Sequence, residues 1–186
     1  MTATSDLTLA NASGTWVIDA AHTNIGFSVR HAMVAKVRGS FGAFAGSFTI
    51  DGANIPASRA ELTIEAASID TKQADRDAHL KSADFLDVEN FPTVAFTSTS
   101  VASKGDDVVV TGDLTIHGVT KSVDVAWEFV GISQDPWGTT KIGFEGKAKI
   151  NRKEFGLVWN AALETGGVLV GDDITLTFDV EAAKEA

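Results

Sequence analysis

The sequence contains no cysteine and no tyrosine, and it has three prolines among 186 residues. The lack of cysteine excludes disulfides, thiolate catalysis, iron–sulfur clusters and cysteine-ligated zinc. No apolar run approaches the roughly 18 residues that a membrane-spanning helix needs. Lys and Arg total 15 against 25 Asp and Glu, for a formal net charge of -10. The short apolar runs predict no integral membrane segment. Because nucleic-acid backbones and anionic membrane surfaces repel the negative charge, we also predict no binding to nucleic acid, and the net charge disfavours anionic membranes.

The first 14 residues carry no Lys or Arg, and their apolar side chains are scattered. A secretory signal instead has a basic start and an apolar run of about 7–15 residues. We therefore expect a cytoplasmic protein. We also expect a single domain over residues 14–182, with disordered or extended tails at residues 1–13 and 183–186.

Most of the chain alternates apolar and polar residues with a period of two, as half-buried strands do. Clear examples are Ile25–Val29, Ile142–Ile150 and Ile174–Val180. Turn signals rich in Gly and Asp separate about eight such stretches, which favours antiparallel pairing through short connections. Because closure removes the exposed edges of a sheet, the pattern predicts an all-β fold, an eight-stranded antiparallel barrel.

One segment departs from this alternation. Thr71–Leu86 has no β-branched residue after Thr71 and is rich in Ala, Lys, Asp and Leu. This composition predicts one short helix, with Asp70 or Thr71 as its N-cap.

The inward positions of the predicted strands combine aromatic residues with very small ones such as Ala60, Gly112 and Gly146. An eight-stranded barrel can be filled by its own side chains or can hold one small ligand. The small residues either leave space for a guest or merely fit the taper of a filled barrel. Eleven Phe and no Tyr mean that the interior aromatic rings carry no hydroxyl, which would suit a hydrocarbon guest.

Two histidines lie near the first long strand. His22 follows Asp19 by three residues, and His31 has the inward parity of Phe27 and Val29. A metal site would need three or more such ligands with supporting hydrogen bonds. No HExxH motif or second ligand pair is present, so these histidines are either polar ligand contacts or simply structural.

Further candidate polar residues lie on the predicted helix and near the C-terminal third. Arg76 and His79 are three residues apart, a spacing that places them on neighbouring helical faces. They either bind a polar head group or form a solvated surface. Arg152 is suited to phosphate or carboxylate recognition, although surface arginines are common. No GxSxG, P-loop or GxGxxG motif is present, so we predict no catalytic residues and no cofactor.

Several segments in a fixed order resemble one known family, the YceI-like polyisoprenoid-binding, lipocalin-like proteins. The matching segments are Trp16–His31 (WVIDAAHTNIGFSVRH), Arg76–Phe96 (RDAHLKSADFLDVENFPTVAF), Gly112–Lys121 (GDLTIHGVTK) and Asn151–Trp159 (NRKEFGLVW), which leads into Glu164–Asp173 (ETGGVLVGDD). The resemblance covers about residues 14–182, essentially the whole predicted domain.

The resemblance implies a lipocalin-like eight-stranded antiparallel barrel with a short helix packed at one side. It also implies an internal apolar tunnel for a long-chain lipid, such as a polyprenyl or fatty-amide type molecule. It implies no settled enzymatic activity. Many relatives carry a secretion signal and are periplasmic, and relatives suggest that a homodimer can form.

Together the residues and the resemblance favour non-catalytic binding or transport of a long-chain lipid in an internal tunnel. Parity and motif position assign the apolar lining to Phe27, Phe48, Ile64, Phe85, Phe96, Phe144 and Trp159. They assign the polar end to His22, His31, Arg76, His79 and Arg152. Two alternatives remain: an enzyme that uses histidine and carboxylate as acid and base on a lipid-like substrate, and a filled barrel that serves as a stress or interaction module.

Overall fold

The computed structural model describes residues 8–186, which contain eleven strand segments and one α-helix. The strands are β1 (Gly14–Ile18), β2 (Asn24–His31), β3 (Ala35–Phe41), β4 (Phe44–Ile50), β5 (Arg59–Glu65), β6 (Ile69–Asp70), β7 (Thr93–Lys104), β8 (Asp107–Ile116), β9 (Val119–Gln134), β10 (Thr140–Asn151) and β11 (Val170–Lys184). The helix is α1 (Ala74–Lys81). Over these residues, the structure has no helix with the length and hydrophobicity needed to cross a membrane.

The eleven segments form the eight rows of one closed antiparallel barrel. β1 and β2 follow one another along the same edge of β11, and β4 and β3 lie beside them in the next row. β5 and β6 form the third row, and β7 to β11 supply the other five. The sheet closes where β1 pairs with β11. The predicted eight-stranded antiparallel barrel is therefore confirmed, with three of its rows each broken into two segments.

The three broken rows are neighbours, so their breaks form a seam across one side of the barrel. The Gly42 N–H donates to the Ser68 carbonyl at 3.3 Å, and the Glu65 N–H donates to the Ala43 carbonyl at 2.9 Å. These bonds join the break between β3 and β4 to the break between β5 and β6. The other five strands run unbroken for 10 to 16 residues each.

The chain before β1 closes one end of the barrel. Leu9 and Ala12 are buried there, and the Trp16 indole N–H donates to the Ala12 carbonyl at 2.9 Å. The predicted tail over residues 1–13 is therefore corrected for residues 9–12, because these apolar side chains pack on the barrel end. Residues 1–7 of that predicted tail lie outside the described residues. At the other terminus, β11 extends to Lys184, which pairs with Trp16, so strand structure continues past the predicted boundary at residue 182.

Two clusters of buried apolar residues occupy the two ends of the barrel. The first cluster is Leu9, Ala12, Trp16, Ile50, Ile142, Phe144 and Ala182. The second cluster is Ile25, Ile64, Ala66, Ile69, Leu86, Val94, Leu114, Ile116, Ile150, Phe155 and Leu157. The core is thus divided, and the space between the clusters contains the cavity described below.

The predicted helix exists but is shorter than Thr71–Leu86. Lys72 has a left-handed backbone with φ 64°, which a right-handed helix cannot include. The helix is capped instead by the side chain of Gln73. The prediction of Thr71 as N-cap is wrong: its hydroxyl is buried and donates to Asp77 at 2.6 Å. The residues that follow α1 form turns in which Phe85 and Leu86 are buried, and Leu86 belongs to the second cluster.

Candidate ligand-binding cavity

A cavity of about 280 Å³ lies along the barrel between the two clusters. Residues of the first cluster, including Leu9 and Ile50, line it at one end, and Ile116 and Leu157 of the second cluster line it at the other. The exposed cavity surface is almost entirely apolar. Such a lining gives bound water few partners, whereas it suits a hydrocarbon chain.

The structure brings six of the seven predicted lining residues to this cavity. They are Phe27, Phe48, Ile64, Phe85, Phe96 and Phe144. Trp159 is the exception, since its ring packs behind Phe85 with centroids 5.3 Å apart and is not part of the cavity surface. Strand alternation placed the five of these residues that lie on strands, whereas Phe85 and Trp159 lie in irregular segments where parity gives no direction.

Three aromatic residues that the sequence did not assign to the lining also contact the cavity. They are Phe41, Trp127 and Phe178. Trp127 and Phe178 pack against each other with ring centroids 5.3 Å apart. Both have the inward parity of their strands, so the signal was present in the period-two pattern.

Aromatic rings cover three glycines on the inner wall. An added Cβ at Gly39 would come within 3.0 Å of the Phe27 ring, and one at Gly146 would meet the Trp127 ring in the same way. Gly39 pairs directly with Phe27, and Gly146 pairs directly with Trp127, across neighbouring strands. The rings therefore lie against the backbone of the next strand.

Gly112 repeats this arrangement beneath the ring of Phe96. Of the two sequence interpretations, the one in which Gly112 and Gly146 leave open space is therefore corrected. An aromatic ring fills the space beside each glycine. The glycines enlarge the cavity only indirectly, because a ring that lies close to the wall fills less of the interior volume.

Arg152 is the one predicted polar-end residue that contacts the cavity among the described residues, and its side chain is 2% exposed. Its guanidinium donates to four backbone carbonyl oxygens: Leu157 at 2.6 Å, Trp159 at 2.8 Å, Gly171 at 2.8 Å and Val170 at 3.3 Å. Burial lowers the pKa of Arg152 from its ordinary value, and Asp172 at 3.7 Å partly opposes this shift. Because its donors are engaged, Arg152 fastens the segment 157–171 to the barrel end.

Arg76 and His79 lie on α1, outside the cavity. The Arg76 guanidinium donates to the hydroxyl and the carbonyl of Thr71 at 2.7 and 2.8 Å, and so fixes the chain before the helix. The His79 Nε2 is 2.9 Å from Asp84 Oδ2. The His79 ring packs on Trp159 and on Phe85, with centroid distances of 4.6 and 5.0 Å. His79 thus supports the cavity wall from behind.

The remaining two predicted polar-end residues also lie away from the cavity surface. His31 ends β2, opposite Val170. His22 is 65% exposed and lies at the break between β1 and β2, with its Nδ1 2.9 Å from Asp19 Oδ2. The structure therefore does not gather the five predicted polar residues at one site.

Asp19 is the centre of an ion-pair network that joins the seam to β10 and β11. Its Oδ2 lies 2.9 Å from His22 Nδ1 and 3.0 Å from Lys141 Nζ, and Lys141 is also 3.6 Å from Glu181. The hydrogen bonds from His22 and Lys141 lower the pKa of Asp19 to about 2. By accepting the hydrogen bond from His22, the Asp19 carboxylate raises the pKa of His22 above its ordinary value.

Asp19, His22 and Glu181 present ligand atoms within 4.8 Å of one another, as three metal ligands would. The ammonium group of Lys141 already bonds two of these carboxylates. A cation is therefore built into the cluster, which fits a structural ion-pair network better than a metal centre.

The family comparison agrees with this architecture. Residues 16–182 match the YceI-like domain. A UPF0312 protein of Vibrio vulnificus is 44% identical over 151 residues, which cover 80% of this chain and 79% of that protein.

Solved structures share the fold. The Campylobacter jejuni YCEI protein superposes with a TM-score of 0.72 at 31% identity, over 90% of this chain and 96% of that one. A polyisoprenoid binding domain from Saccharophagus degradans superposes with a TM-score of 0.68 at 15% identity, over 91% of this chain and 98% of that one. With a closed eight-row barrel, an axial apolar cavity and a family match over nearly its whole length, the chain belongs to the YceI-like domain family.

Proposed function

We propose that this protein binds a long-chain lipid of the isoprenoid type in its internal cavity and carries it without chemical change. The observation that carries the proposal is the 280 Å³ cavity, whose surface is almost entirely apolar. The name of the Saccharophagus degradans domain, a polyisoprenoid binding domain of the same fold, supports the isoprenoid class.

The size of the cavity supports a role in ligand binding. An empty apolar void costs about 24 cal/mol per Å³ in protein cores, so 280 Å³ would cost about 7 kcal/mol if it stayed dry. That is comparable to the whole stability of a typical domain, about 5–15 kcal/mol. A hydrocarbon chain removes this cost, since each buried methylene contributes about 0.8 kcal/mol before ordering costs.

The position of the histidines argues against the enzyme alternative. The two histidine–carboxylate pairs, His22 with Asp19 and His79 with Asp84, lie outside the cavity. General acid–base catalysis needs such a pair within hydrogen-bonding distance of the substrate. Within residues 8–186 no histidine contributes to the cavity surface, which favours binding without turnover.

The proposal is tested by extracting purified protein with organic solvent and analysing the extract by mass spectrometry. We expect one dominant long-chain lipid in near-equimolar amount. Delipidated protein should then take up added polyprenol and release it unchanged. A folded protein that is empty on extraction and rejects polyprenol would overturn the proposal, and a chemically altered lipid would favour the enzyme alternative.

Two variants test whether polyprenol uptake depends on the cavity. Ala60 faces the cavity on β5, whereas Thr63 on the same strand is exposed. Ala60→Phe should reduce polyprenol uptake at least tenfold because the new ring occupies guest space, while Thr63→Phe should leave uptake unchanged. Equal uptake by two folded variants would contradict the assigned binding site.

A further inference from the structure

The turn between β2 and β3 has an unusual backbone for its residues. The Val34 N–H donates to the His31 carbonyl at 3.2 Å, and Ala32 and Met33 between them have φ of 49° and 67°. His31 pairs with Ala35, so the hairpin loop has three residues, and two of them have the left-handed backbone that Gly and Asn adopt most readily. Alanine and methionine are strained in this backbone conformation. Such strain is typical of positions where function, rather than stability, determines the residue.

The turn presents apolar side chains to solvent. Met33 is 61% exposed and Val34 is 82% exposed. The neighbouring loop adds Val168 at 39% exposure. The loop touches the turn directly, because the Ala32 N–H donates to the Leu169 carbonyl at 2.8 Å. The exposed apolar side chains therefore form one patch at this end of the barrel.

Three cations flank this patch on the outer face of the same hairpin. Arg30 and Lys36 are direct cross-strand partners, and Arg38 lies two residues further along β3. All three are exposed, and in the described part of the chain none forms an ion pair with a carboxylate. Like charges placed directly opposite one another in a sheet are unfavourable without a counter-charge.

This hairpin is an electrostatic exception within the protein. Residues 20–50 contain no Asp or Glu, although the whole chain has a net charge of -10. The adjoining 157–169 loop has one carboxylate, Glu164. Asp172 and Asp173 follow Gly171, which lies against Arg30, but they form ion pairs with Arg152, Lys153 and Lys149. The argument from net charge, which disfavours anionic membranes, therefore does not apply to this surface.

We propose that the turn Ala32–Val34 and the cations Arg30, Lys36 and Arg38 dock the protein on an anionic lipid bilayer. Met33 and Val34 enter the boundary between head groups and acyl chains, and the three cations bind the anionic head groups. A bilayer supplies both the apolar phase and the negative surface that the patch lacks. Because the anionic bilayer repels the rest of the protein, the hairpin also sets the orientation of the protein on the membrane.

Docking in this way places the cavity near the membrane. Val29, two residues before His31, and Val170, opposite His31, both line the cavity. The hairpin is thus a direct continuation of the cavity wall. The docking proposal goes beyond the proposed function and does not depend on which ligand the cavity holds.

The test is co-sedimentation of the full chain with vesicles of phosphatidylcholine alone or mixed equally with phosphatidylglycerol. We expect binding to the mixed vesicles only, and weakening as salt is raised. Lys36→Glu with Arg38→Glu should weaken binding at least tenfold. The matched control reverses two exposed lysines elsewhere, Lys121→Glu with Lys147→Glu, and should reduce binding less than threefold.

A second variant separates docking from folding. Ala32→Asn with Met33→Gly gives the turn its preferred residues, so it should raise the melting temperature while weakening vesicle binding at least fivefold. Uptake of polyprenol by this variant should remain unchanged, which distinguishes failure of docking from failure of lipid binding. The proposal is overturned if the unmodified chain ignores both vesicle types, or if neither hairpin variant weakens binding.

Discussion

The indole ring of Trp127 lies over Gly146, its direct partner across the β9–β10 pair. A Cβ at this glycine would come within 3.0 Å of the ring, so the ring position depends on the missing side chain. The ring also reaches Phe178 on the far side of β10, with centroids 5.3 Å apart. A single glycine therefore decides how far an aromatic side chain projects into the cavity.

We expect Gly146→Ala to push the Trp127 ring into the cavity. The variant should lose about 1–3 kcal/mol of unfolding free energy through overpacking, and bind polyprenol at least tenfold more weakly. Gly143→Ala on the same strand is the control, because a Cβ there would make an ordinary contact of 3.4 Å with Val130. Denaturant unfolding and lipid titration measure both quantities. Unchanged affinity in Gly146→Ala would show that the ring does not limit the cavity.

The four carbonyl bonds of Arg152 lead to a second prediction. Arg152→Met keeps the apolar length but leaves buried carbonyl oxygens without donors, so it should cost about 3 kcal/mol or more in unfolding free energy. Arg152→Lys restores some donors and should cost less. If Arg152 instead bound a lipid head group, Arg152→Met would lower affinity while stability stayed within about 0.5 kcal/mol, an outcome that would contradict the structural role.

The Asp19 network makes stability depend on pH. Asp19 has its pKa lowered from 3.8 to about 2, so its contribution is complete above pH 4 and is lost as the pH falls toward 2. His22 has its pKa raised above 6.5, so its contribution is complete below that pH and is lost as the pH rises through the folded value. The network should therefore stabilise the protein most between about pH 4 and pH 6.5.

Asp19→Asn tests this dependence. It should lower the free energy of unfolding by about 1 kcal/mol in that pH range, a modest value because the group is partly solvated. By nuclear magnetic resonance titration, the pKa of His22 should return toward its ordinary value. Asp113→Asn, on an exposed site of β8, is the control. An unchanged His22 titration in Asp19→Asn would disprove the coupling.

The alternation of side chains was sufficient to predict the barrel, because a period of two is imposed by strand geometry itself. It was not sufficient to place the seam. The break at residues 19–23 contains no Gly or Pro, and it is stabilised by Thr23 and Glu181, which are far apart in the sequence. Long-range backbone partners of this kind leave no local sequence signal.

The polar-end assignments show the same limit. The sequence assigned Arg152 to the polar end of the site, whereas its guanidinium donates to backbone carbonyls later in the chain, which no side-chain motif encodes. The helix was predicted too long for a different reason: composition favours a helix from Thr71, whereas the left-handed Lys72 delays its start. The five predicted lining residues on strands face the cavity, because strand parity depends only on neighbours in the sequence.

The seam has a mechanical consequence. Five uninterrupted strands make one side of the barrel stiff, while the other side bends at three adjacent places. Because the breaks interrupt three neighbouring strands along their length, this side can bend along the strand direction while the continuous side keeps its register. We expect amide hydrogens at residues 19–23, 42–43 and 66–68 to exchange with solvent faster than those of β8 and β10.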